Sequence, residues 1–291
     1  MSFVGSAAAT AASTASSVTI AYTGPAMQVG DLIAVLVLQN AGGSTTISNP
    51  TTPGAPWTSG DSLTPAIPDA VIGGSVQTHA AFKIAASGDT GTPSYTFTSN
   101  YPGDFVAQMR VYRGRASTIS AALNNSAVTA IGAAGNTPYS YPLTGLTILA
   151  GDDVVSFVGA QVSGGGPATA ASAPITGFAN ELDTVSSTSS SAPFMISEDQ
   201  VNAAGGTVAS FAETITTTPV TQIAPYGFVL SLPAASAAAP KPVLSGGKVL
   251  VSGGHVVTGA LMFMPLRWIM DRRDKLARER KAVRETLKNG R

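Results

Sequence analysis

From Val18 onward the apolar positions fall in short runs rich in Val, Ile, Tyr and Phe, separated by Gly, Pro, Asn and Asp. Branched and aromatic side chains suit a pleated surface, and the separating residues close turns, so the pattern predicts strands. They are expected at Val18–Tyr22, Leu32–Gln39, Gln77–Ala85, Ser94–Thr98, Phe105–Tyr112, Val154–Val162, Phe194–Ser197, Val208–Ile215 and Tyr226–Leu232. Helical periodicity is absent before residue 240. That argues against a parallel sheet wound with helices and for an all-β fold, an antiparallel β-sandwich or jelly roll.

The strands repeat. Val29-Gly-Asp-Leu-Ile-Ala-Val-Leu-Val-Leu-Gln39 is answered by Ala150-Gly-Asp-Asp-Val-Val-Ser-Phe-Val-Gly-Ala-Gln161, which aligns Asp31 with Asp152. The same offset carries Pro56-Trp57 onto Gly177-Phe178. Ala81-Phe-Lys-Ile84 before Tyr95-Thr-Phe97 corresponds to Pro193-Phe-Met-Ile196 before Ala209-Ser-Phe211, and the Asp104–Tyr112 strand corresponds to Pro225–Leu232. Four ordered matches imply two related halves, about 18–114 and 117–233, within one body at 18–233. Met1–Ser17, rich in Ala, Ser and Thr, lacks the basic start and apolar core of a secretory signal and is expected to be an N-terminal arm ordered against something else.

After residue 233 the pattern changes. Residues 234–242 form an Ala/Pro linker, and 243–291 a basic C-terminal anchor. It opens on a short hairpin with arms Lys248–Val251 and His255–Val257 and continues in a helix at about 265–288. Pro265 suits the first turn, and Leu266, Ile269, Leu276, Val283 and Leu287 mark one narrow face. Arg273 and Arg280 interrupt that face, so it is not a homomeric zipper.

Charge follows the same division. Through residue 240 the cations are Lys83, Arg110, Arg113 and Arg115 against twelve acids, a formal −8; the last 51 residues hold twelve cations and four acids, a formal +8. Only 11% of residues are charged, where an ordinary soluble domain has about 25%. So weakly charged a surface repels little and suits packing among copies or in an assembly. With no Cys, disulfides and thiolate metal sites are excluded. The apolar run Val256–Leu266 is about half the length a membrane span needs, so no span is expected.

Candidate chemistry is sparse. His79 and His255 have no neighbours at metal-ligand spacing, and Asp152-Asp153 and Glu198-Asp199 lack the alternating acids of a calcium loop. Asp31 and Asp152 are read as turn residues at the mouths of strands. Gly164-Gly-Gly166 and Gly246-Gly247 are not followed by the Lys-Ser/Thr of a phosphate loop. Trp57, Tyr95 and Phe97 suit either a sandwich core or a groove for a host-surface glycan. No nucleophile stands with a base, so no catalytic residue, cofactor or metal is expected and the chain is read as a non-enzyme.

Gly30-Asp31-Leu32, Pro56-Trp57-Thr58, Tyr95-Thr96-Phe97 and Tyr112-Arg113-Gly114, each at its place around an apolar strand, resemble motifs of β-sandwich modules in tailed-phage virion structural proteins. The resemblance covers roughly 18–233 and implies a structural role in a virion, in a tail, a tail fibre or a capsid decoration. The expected partners are other virion proteins and copies of the chain itself; the alternative is a carbohydrate-binding adhesin module for host attachment. The basic tail has no counterpart in these motifs. Asp271 with Lys275 and Asp274 with Arg278 are spaced for ion pairs in a solvated helix, or the tail lies on a membrane surface beside Trp268. Nucleic acid is not expected, because acids dilute the cations and no aromatics interleave them. Docking into another protein is favoured, through Leu261, Phe263, Met264, Trp268, Ile269, Arg272, Arg273 and Leu276.

Overall fold

The apolar runs and their turns become the strands of a computed structural model, which describes residues 2–41, 45–51, 56–113, 118–123, 125–129, 132, 134–163, 169–173, 175–186, 192–201, 203, 205–218, 222–233, 243–245, 248–250 and 256–257. The first half comprises β1 (Ser2–Ala21), β2 (Leu32–Asn40), β3 (Ile47–Ser48), β4 (Thr58–Ser59), β5 (Val71–Ile72), β6 (Val76–Ile84) and β7 (Ser94–Arg113). After the short helix α1 (Ile119–Ala122) come β8 (Asn125–Thr129), β9 (Gly135–Asn136), β10 (Tyr139–Ile148), β11 (Asp153–Ser163), β12 (Thr169–Ala173), β13 (Ala179–Val185), β14 (Pro193–Gln200), β15 (Gly206–Thr218) and β16 (Gln222–Leu232). All pairings among these described strands are antiparallel.

The halves share a topology. In the first, β2 lies between β7 and β6 in the order β1-β7-β2-β6-β4; in the second, β11 lies between β16 and β14 in the order β13-β14-β11-β16-β8. Leu32 faces Tyr112 as Asp153 faces Leu232. A second layer covers each of these sheets. In the second half it is the sheet β10-β15-β12; in the first it is made by the continuations of β1 and β7, the two strands at one side of the main sheet, with β3 beside β7. Residues 17–21 of β1 pair with 94–98 of β7, then both strands bend, and β1 continues along 105–113. Gly103 makes the bend possible, because a Cβ there would collide with the Asn40 carbonyl oxygen.

The repeat extends to the turns. Gly30 (φ +89°) and Gly151 (φ +88°) take the left-handed conformation that glycine adopts without strain. The following Asp31 and Asp152 accept from the backbone N–H three residues earlier, Gln28 at 2.9 Å and Leu149 at 3.3 Å. Both turns exchange two backbone hydrogen bonds with an alanine, Ala85 in the first half and Ala203 in the second. The reading of these aspartates as turn residues holds.

The two main sheets pack face to face, which produces four layers and three cores. The central core joins Leu32, Leu36, Leu38, Phe82, Val106 and Tyr112 to Val155, Phe157, Met195, Phe228 and Leu230. One outer core places Ile33, Val35, Val37 and Met109 under Ile20, Tyr95 and Phe97, and the other places Val154, Val158, Phe194 and Val229 under Tyr141, Leu143 and Ile215. With both faces covered, Leu32–Leu38 is buried at every position, and the run shows no alternation. β7 lies over β14, β1 over β13 and β6 over β11. The related sheets therefore stack with reversed strand order, β2 lying over β14 and reaching Gly159 of β11 through Leu38.

Three differences from the sequence expectations have local causes. Ser94–Thr98 and Phe105–Tyr112 belong to one bent strand, since Tyr101-Pro-Gly103 turns the ribbon without ending it. Residues 2–17 are strand rather than an arm; what they are ordered against is β7 of the same chain. β10 and β13 are strands that the sequence pattern does not announce, because Pro142 and Gly145 break the first, and Glu181 and Asp183 make the second read as loop. Both are edge strands, where proline and charge are tolerated.

The chain divides into two units, Met1–Ala235 and Ser236–Arg291. In the second, β17 (Val243–Ser245), β18 (Lys248–Leu250) and β19 (Val256–Val257) form an antiparallel sheet, with Leu250 opposite Val256 as the hairpin expectation required. The linker at 234–242, apart from its neighbour Pro233, and the helix expected at 265–288 lie outside the described residues.

Candidate functional site

Among the described residues of the first unit, polar chemistry concentrates at four buried clusters and one groove. The largest cluster joins the halves. Arg110, projecting from β7 toward β14, is fully buried, and its Nη1 donates to Asp199 Oδ1 at 2.6 Å. Its Nε donates to Ser197 Oγ at 2.9 Å, and Nη2 donates to the carbonyls of Asn180 and Ser197. Asn180, held at φ +54°, turns its amide onto the Asp199 carboxylate. Burial raises the Asp199 pKa, and the Arg110 guanidinium opposes that rise. Two positions away on the same face, Gln108 Nε2 donates to the Leu182 and Met195 carbonyls and to Thr184 Oγ1.

The second cluster lies in the outer core of the first half. Lys83 Nζ meets Asp89 Oδ1 at 2.6 Å, both fully buried, and lies over the rings of Trp57 and Tyr95 at 5.4 and 5.2 Å. Tyr95 donates its hydroxyl to the same Asp89 oxygen at 2.9 Å, and Trp57 stacks edge-on against Tyr95 and Phe97. These aromatics are therefore core, the first of the two readings the sequence allowed. Tyr95 and Phe97 present no surface to a sugar.

The third cluster engages His79 at both ring nitrogens. Asp69 Oδ2 is 3.0 Å from Nδ1, Asn49 Oδ1 is 2.9 Å from Nε2, and the Asn49 amide donates onward to Ser59 Oγ. Both ring nitrogens are thus engaged by partners within the body. His255 lies outside the described residues.

The fourth cluster is a pair of acids. Glu198 on β14 and Glu213 on β15 are fully buried and face each other across the outer core of the second half. The Ile175 N–H donates to both Glu198 oxygens, whereas no N–H or O–H among the described residues reaches either oxygen of Glu213. Protonation of the pair is the arrangement that would give Glu213 a partner in Glu198. Burial first, and then Glu198, pushes Glu213 up to about 10; burial pushes Glu198 up to about 7.

An open groove of about 340 Å³ is lined by Thr58, Ser62, Thr64 and Ser126 and by Leu63 and Leu123. Its described lining residues include no acid and no base.

No protein-family model matches this chain, and no curated protein or solved structure does. Among the described residues no group of three acids, histidines or cysteines is placed to hold a metal, and no helix is long and apolar enough to cross a membrane. The docking residues expected from the sequence, Leu261, Phe263, Met264, Trp268, Ile269, Arg272, Arg273 and Leu276, all lie outside the described residues. Sequence reasoning missed Arg110, Lys83 and Glu213 as partners, although each stands inside an apolar strand where a lone charge requires one.

Proposed function

We propose that the protein is a non-enzymatic structural component of a phage particle. The duplicated β body faces outward, and the basic segment at 243–291 anchors it to other virion proteins. The observation that carries this reading is where the charges of the body lie. Of its sixteen charged side chains ten are buried, and among the described residues only Asp61, Asp69, Glu181, Asp183 and Arg113 reach the surface. A surface with so few charges gives little repulsion between neighbours and favours close packing over dispersal. Six of the ten buried charges face one another, Lys83 with Asp89, Arg110 with Asp199 and Glu198 with Glu213, which suits a role in holding the shape of the body. The resemblance of its sequence motifs to those of tailed-phage modules suggests the setting. Deleting residues 241–291 tests the anchor. The expected result is a folded, soluble body that no longer joins particles, and incorporation at normal occupancy would rule the anchor out.

A further inference from the structure

Every sheet edge exposes backbone N–H and C=O groups, and folded proteins guard such edges with charge, proline or brevity. In this body β4, β8 and β12 are at most five residues long, β10 carries Pro142, and β13 carries Glu181 and Asp183. β1 has neither charge, proline nor brevity; its irregularities are small register shifts near Phe3–Gly5 and the bend at 11–17, where its pairing with β7 shifts. It runs for twenty residues, Ser2–Ala21, without a charged residue or a proline, and it forms the edge of both layers of the first half. β7 pairs along one side; on the other, no described strand, loop or side chain hydrogen-bonds to it. Ala8, Thr10, Ala12, Ser13 and Thr14 are exposed, and all are small enough to let another strand approach.

We propose that this edge is the interface between two copies of the chain, each β1 adding to the other's sheet as an antiparallel strand. The occupant follows from symmetry. Antiparallel pairing of one strand with itself is twofold, so each copy supplies what the other lacks. Because β1 has only one free side, the assembly closes at two copies and does not grow into a filament. β13 lies against β1 in the layer below, and its Glu181 and Asp183 would meet their own copies across the axis, so the pairing is confined to the β1 layer. The scarcity of other surface charge removes the remaining long-range opposition. This inference rests on the strand edge alone and stands or falls separately from the particle reading.

The full-length chain tests it by light scattering on a sizing column and by cysteine cross-linking, the latter undisturbed because the protein has no cysteine of its own. The wild type is expected to be a dimer, and Ala8→Lys combined with Thr10→Lys a monomer that keeps a cooperative thermal transition but loses its dependence on protein concentration. Single cysteines at Ala8, Thr10, Ala12 and Thr14 are expected to give disulfide-linked dimers, with yield highest at the position nearest the twofold axis and falling away from it. Val29→Cys, exposed but distant from β1 in sequence and pairing, is the control. A monomeric wild type, or cross-linking no better along β1 than at Val29, overturns the proposal. Should the lysine variant fail to fold, the cysteine profile decides. A monomeric chain that still enters particles would overturn the pairing and leave the structural role intact.

Discussion

Replacing Glu213 by glutamine should remove much of the pH dependence of stability. Both members of the Glu198/Glu213 pair titrate above the ordinary carboxylate value of 4.5, Glu198 at about 7 and Glu213 at about 10. The native state therefore holds protons that the unfolded chain has already released. Stability contributed by the pair is complete below about 4.5 and is lost as pH rises through the native values, each retained proton costing about 1.4 kcal/mol per pH unit. For Glu198 alone the interval from 4.5 to about 7 corresponds to a loss on the order of 3 kcal/mol. In the Glu213→Gln variant the new side chain cannot ionise, and its amide can donate to Glu198, whose charge then gains a partner beside the Ile175 N–H. Urea unfolding of both proteins at pH 5, 6.5 and 8 is the assay, with the difference between them as the readout, because all other titrating groups cancel. The variant is expected to lose about 1 kcal/mol at pH 5, where a carboxyl hydrogen bond is removed, and to equal or exceed the wild type at pH 8. Parallel pH profiles would refute the shared proton.

Arg110→Ala strands Asp199 inside the protein and should cost about 3–5 kcal/mol in chemical denaturation, far more than truncating the partly exposed Arg113. Tyr95→Phe removes the hydroxyl that Asp89 accepts while leaving Lys83 in place; it should cost about 2 kcal/mol, read as a lowered urea midpoint with unchanged slope.

The strands were legible because their short apolar runs are rich in Val, Ile, Tyr and Phe and are bounded by Gly, Pro, Asn and Asp, and the duplication was legible because the turn residues repeat with the strands. The layering was harder to read. Leu32-Ile-Ala-Val-Leu-Val-Leu38 has no polar alternation, which is the mark of a strand buried on both faces, yet an ordinary two-layer sandwich leaves one face to water. With four layers, the Lys of Ala81-Phe-Lys-Ile84 and the Arg of Gln108-Met-Arg-Val111 must find partners inside. Those partners come from far along the chain or from irregular backbone. Asp199 is 89 residues from Arg110, and Asp89 lies in a short 3₁₀ turn after β6. No spacing rule links them. Glu213 was illegible for the same reason, since its partner Glu198 stands on a strand of the adjoining layer.

The seam between the halves also explains how one stacking is selected. The facing residues of β2 and β11 are aliphatic or aromatic, and sliding one sheet by two residues would again set apolar against apolar at modest cost. The same slide would carry Arg110 off Asp199 and Gln108 off the Leu182 and Met195 carbonyls, leaving a buried guanidinium and a buried carboxylate without partners. The apolar faces thus supply most of the attraction between the halves. Two polar side chains on one strand, Gln108 and Arg110, fix the register in which that attraction is realised, and a duplicated fold whose faces are so alike needs such a constraint.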